Sequence, residues 1–267
     1  MKMKMIVAAL ALAAAGSANA AIENGTSGNG EMFMTVWDQT GLQSYTLDLN
    51  LTMDDFIAGV AANQSFTFNA DANMTTFLGQ VLPANQSNLV YAIGAMDIKG
   101  ANASDYHRYL TTSSNIVLGA STANQVRNVD LKQLGTQGGV MLGNANGLLG
   151  SNDSLIVTDP AILAYAGSAS WGNNWGTKAN FNTLGEIGDD LGMYFLRQTS
   201  GASAANNTRS IYEQMNWGNG DQVFANLSTN GTLTFAAAAP VPEADTYALM
   251  LAGLGLVGFL ARRRKAA

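Results

Sequence analysis

His107 is the sole histidine of the 267-residue chain, and cysteine is absent. A Ser-His-Asp relay would have to run through His107, yet no G-x-S-x-G turn offers a serine to it. The same two facts exclude a thiolate nucleophile, a disulfide framework and a multi-histidine zinc site. With Asp105, Tyr106, Arg108 and Tyr109 around it, His107 reads as a loop or interface residue.

Carboxylates are the remaining source of chemistry. Two acids held ~5 to 9 Å apart can hydrolyse a glycosidic bond, and adjacent acids occur at Asp54-Asp55 and Asp189-Asp190. Neighbouring acids point to opposite sides of a strand, or cap and solvate the first turn of a helix, so surface roles are the better expectation. Asn69, Asp71 and Asn73 alternate like calcium ligands, but Met74 stands where an EF-hand loop needs glycine and Gln80 where it needs a bidentate glutamate. The expected cofactor is therefore none, with calcium in some other loop geometry left open. Trp171, Trp175 and Trp217, set among Asn and Gly, are candidates for stacking on sugar rings if they are exposed.

Any such groups must be carried by strands. Along residues 42–51, Tyr45, Leu47, Leu49 and Leu51 fall on one face and Ser44, Thr46, Asp48 and Asn50 on the other, the alternation of a half-buried strand. Residues 32–37 alternate likewise, and Asp38, Gln39, Thr40 and Gly41 supply the turn of a hairpin. Further short runs at 65–69, 88–96, 154–158, 193–198, 209–217, 222–227 and 232–235 predict a mainly β, sandwich-like domain. Helical signals are fewer: Thr52 caps a brief helix over 53–58, and Thr122 caps another over 123–134 that Gly135 would end. The Gly/Asn clusters at 138–150 and 171–174 read as loops. A Trp-Gly-Asn echo at Trp171 and Trp217 hints at a duplication.

The composition bounds what this domain meets. Hydrophobic residues make up 47% and charged residues 12%, so the chain can bury a core. Between residues 21 and 242 seven basic residues face seventeen acidic ones. No basic run interrupts that excess, which argues against nucleic-acid binding.

Both ends read as targeting segments. Lys2 and Lys4 are followed by an apolar stretch over 6–15 and by Ala18, Asn19 and Ala20, the small-x-small pattern of a signal cleaved before Ala21. At the other end Pro240, Val241, Pro242 and Glu243 precede an apolar run at 247–261, closed by Arg262, Arg263, Arg264 and Lys265. The prolines keep the segment extended and accessible. A helix over the run reaches only ~22 Å against a ~30 Å hydrocarbon core, a marginal span that the basic cluster would stop with its end in the cytoplasm. Gly253, Gly255 and Gly258 spell a dinucleotide fingerprint with no strand before it, so close packing of membrane helices is their better use.

In the order and spacing of Val241, Pro242, Glu243, the apolar helix and the arginine-rich end, this tail resembles the PEP-CTERM family of sorting tails; Ala244 stands where the family usually has a second proline. The resemblance implies an exosortase as partner, a membrane-embedded protease of exopolysaccharide-producing Gram-negative bacteria. The expected organisation is a signal peptide at 1–20, an exported β-rich domain at 21–239, and a sorting tail at 240–267 with its membrane helix at 246–261. The expected function is a structural or adhesive protein of the cell surface or biofilm matrix, first anchored in the inner membrane and then released. It would contact polysaccharide or other matrix proteins and is not expected to be an enzyme. The alternative is a secreted carboxylate-dependent polysaccharide hydrolase.

Overall fold

A computed structural model describes residues 21–81, 83–99, 107–114, 125–168, 171–199 and 208–237. Its frame is one antiparallel sheet. Strands β1 (Glu31–Asp38), β2 (Ser44–Thr52), β3 (Phe66–Phe68), β4 (Leu89–Asp97), β5 (Arg108–Ser113) and β6 (Ser154–Val157) are joined by β7 (Gly185–Glu186), β8 (Asp190–Arg197), β9 (Ile211–Gln214), β10 (Val223–Leu227) and β11 (Leu233–Ala237). They pair in the order β3-β11-β10-β8-β5-β4-β1-β2-β6, with β7 beside β4 and β9 beside β8.

The mainly β expectation holds, but the strands form one curled sheet, a half-barrel, where a sandwich would have two. Laid flat, β3 and β6 would stand roughly 38 Å apart at ordinary strand spacing. The chain leaves β3 at Phe68, and Asp71, within ~11 Å of it by chain length, accepts a hydrogen bond from the Ser154 hydroxyl of β6. Asn73 adds a 3.1 Å bond to the Ser154 carbonyl. Both residues belong to the start of the helix α2 (Ala72–Gln80), which therefore latches the two edges across the open mouth.

Two apolar layers follow from this curl. Inside, Met34, Tyr45, Tyr91, Ile93, Met193 and Phe235 pack against Phe56 of α1 (Met53–Ala61) and Phe77 of α2. Outside, Phe33, Ala92, Met96 and Tyr109 are covered by α3 (Asn128–Leu149) and α4 (Gly172–Ala179). Strands β1 and β4 are buried on both faces, which explains their nearly unbroken apolar runs. Strand β5 lacks a legible sequence pattern for the same reason. Its Thr111 accepts the Trp175 indole N–H at 2.9 Å on one face, and its Thr112 donates to the Thr183 carbonyl at 2.8 Å on the other.

The helices depart most from expectation. The Thr52 cap is as predicted, its hydroxyl accepting from the Asp55 amide at 3.3 Å, whereas α2, capped by Asp71, lies outside the helices that the sequence signals predict. Helix α3 starts at Asn128 and runs straight through Gly135 to Leu149, across the stretch that reads as a glycine loop. Burial overrides propensity there: a Cβ on Gly138 would collide with Met96 and the Trp175 ring, so the glycine lets the helix lie close on the sheet. The Trp-Gly-Asn echo is no duplication, because Trp171 precedes a helix and Trp217 a tight turn.

Candidate functional site

Most residues nominated for chemistry serve the fold. Trp171, Trp175 and Trp217 are 0%, 0% and 5% exposed, so none offers a ring face to a sugar. The Trp171 indole N–H donates to Thr35 Oγ1 at 3.0 Å, and its ring lies 4.4 Å from that of Trp175. His107 is also buried; its backbone exchanges hydrogen bonds with Gln198, and its Nδ1 lies 3.3 Å from the Tyr109 hydroxyl.

The acidic pairs are likewise occupied. Asp54 takes a 2.9 Å ion pair from Arg108, which also holds Asp97 at 2.6 Å, while Asp55 accepts from the Thr52 hydroxyl. Asp189 accepts from the Glu186 amide and Asp190 from the Asn226 side chain. In the calcium-like run, Asp71 caps α2 through the Met74 amide and Asn73 turns its amide to Ser154. Among the described residues no group of three or more acids and histidines is arranged to hold a metal ion.

The most unusual chemistry lies at a corner that no sequence motif marks. Asp48 falls on the polar side of β2, yet it is 3% exposed. Its Oδ1 accepts the Asn50 amide at 2.8 Å, but burial, with Glu31 and Asp153 nearby, pushes its carboxyl up to about 7. No signal in β2 itself reveals this, because its neighbour Asp153 and the outer layer come from distant parts of the chain.

Beside Glu31 opens a cavity of about 390 Å³ lined by Ala21, Ile22, Glu23, Asn24, Thr26, Glu31, Asn50 and Asn146. Ile22 is buried in the outer layer, and its backbone is gripped from both sides by Asn146 of α3. Its amide donates to Oδ1 at 2.9 Å, and its carbonyl accepts from Nδ2 at 2.9 Å. The Glu31 carboxylate accepts the Glu23 amide at 2.8 Å. The lining can hold a small cationic or donor group, whereas Asp48 itself lies too deep to meet a polymer.

Of the residues assigned to processing, only exposed Ala21 is described. Ala18, Ala20, Val241, Pro242, Glu243, Arg262, Arg263, Arg264 and Lys265, with the membrane helix expected at 246–261, lie outside the described residues. Among the described residues no helix is long and apolar enough to cross a membrane. The described fold ends with β11, where Ala237 pairs with Val223.

Three residues beyond that point, residues 240–265 match the PEP-CTERM protein-sorting motif. Such a motif indicates an exported, membrane-anchored precursor that is processed by an exosortase, itself a membrane protein. No curated protein and no solved structure matches the chain.

Proposed function

We propose that the chain is a non-enzymatic structural or adhesive protein of the cell surface or extracellular matrix, linked to exopolysaccharide and released from its anchor by cutting near Pro242 and Glu243. The observation that carries this reading is the sorting motif at 240–265, placed directly behind a fold that uses its nominated histidine, acids and tryptophans for packing and capping. In this reading the signal at 1–20 is removed before Ala21, and the run at 246–261 is a transient inner-membrane anchor stopped by Arg262 to Lys265. Burial of the tryptophans moves any polysaccharide contact to the Asn-, Thr- and Gly-rich surface.

The test is fractionation of a producing culture. Mature protein should co-sediment with the producer's own polysaccharide and release no reducing ends from it at acidic or neutral pH. Protein that stays wholly in the soluble fraction would remove the matrix role. Release of reducing ends would favour the hydrolase reading, for which the raised carboxyl of Asp48 is the one specific support and its burial the main objection.

A further inference from the structure

We infer that the cavity lined by Ala21, Glu23, Glu31 and Asn146 is the seat of the α-ammonium group that signal cleavage creates on Ala21, so that export processing completes the domain's own structure. This rests on the cleavage reading above. Hydrolysis of the Ala20–Ala21 bond adds water, leaving a carboxylate on Ala20 and an amine on Ala21 that takes up a proton near neutral pH.

The new charge has little freedom to go elsewhere. Ile22, the next residue, is held by its buried side chain and by the paired bonds to Asn146, so the terminus is tethered at the cavity wall. Glu23 and Glu31 line the same space, together with the neutral side chains of Asn24, Thr26, Asn50 and Asn146. Glu31 interacts electrostatically with Asp48 behind it, which also senses Asp153. On the far side of the turn at 24–29, Gly28 lies against Lys99 and Asp97, and Asp97 is satisfied by Arg108, which also pairs with Asp54. The corner therefore gathers acids from the segment before β1, from β1, from β2 and from the turn before β6, while the α3 residue lining the cavity, Asn146, is neutral. A cation arriving on Ala21 relieves that imbalance and draws the start of the chain, β1 and α3 together.

The experiment uses the full chain, exported and processed by its producer, as the wild type, with Ala-Ser inserted between Ala20 and Ala21, and as Glu23→Gln, Glu31→Gln and the double substitution. Mass spectrometry first establishes each N-terminus. The α-amine is then labelled by reductive methylation with carbon-13 and titrated by NMR. The wild-type amine should bind its proton roughly tenfold or more tightly than an ordinary terminus, which titrates at about 8. It should return toward the ordinary value in the double substitution and in the inserted chain, whose amine stands two residues away. A mature chain that begins elsewhere than Ala21 overturns the cleavage reading and this inference with it. One that begins at Ala21 but titrates as an ordinary terminus overturns the inference alone, as does a raised value that survives both glutamine substitutions in a folded protein.

Discussion

At the residue scale, Asp48 makes the sharpest prediction. Its carboxyl is raised from the ordinary 3.8 to about 7, chiefly by burial, so between those values the folded state holds a proton that the unfolded chain has lost. Stability must then fall as pH rises through that window, by up to roughly 4 kcal/mol if the whole difference is expressed. Asp48→Asn keeps the shape without the ionisation. Its stability relative to wild type, read from urea unfolding, should improve steadily from pH 4 to about 7. A constant difference across that range would show that Asp48 ionises normally. Trp171→Ala belongs to the same scale: it empties a site between Phe33 and Trp175 and should cost ~3–5 kcal/mol in thermal or urea unfolding. A change in sugar binding at unchanged stability would contradict the packing role.

At the level of elements, α3 separates two uses of glycine. Gly138 admits Met96 and Trp175, so Gly138→Ala should destabilise by ~1–3 kcal/mol. Nothing within 4 Å would meet a Cβ on Gly139, Gly143 or Gly147, so alanine at each should stabilise by up to ~1 kcal/mol in the same unfolding assay. This helix also marks the limit of what the sequence makes legible. The hairpin β1-β2 is readable because alternation and a polar turn agree locally, and so is the Thr52 cap. Helix α3 is not: five glycines argue against a helix locally, and the sheet surface that stabilises it is distant in sequence. Asp48 and β5 stay hidden on the same ground, since a cover from afar turns a polar face into a buried one. The sorting tail is the opposite case, because its order of proline and glutamate, apolar run and basic end is the signal itself.

On the whole-molecule scale, the fold and the tail divide the labour. Leu233 and Phe235 of β11 are fully buried in the inner layer, so the core is completed only when the chain has crossed the membrane almost to the motif. Glu243→Ala should leave the anchor intact and block recognition, so that precursor accumulates in membranes. Deleting Arg262, Arg263, Arg264 and Lys265 should instead weaken the stop and let uncut protein escape, because a short apolar run would lose the positive charges that halt translocation. Western analysis of membrane and medium fractions separates the two outcomes. The measurement that bears most directly on the central claim is the intact mass of the wild-type protein released into the medium. Sorting by cleavage predicts a chain that ends near Pro242 and Glu243 and lacks residues 247–261; a released chain that still carries residues 247–261 would contradict it.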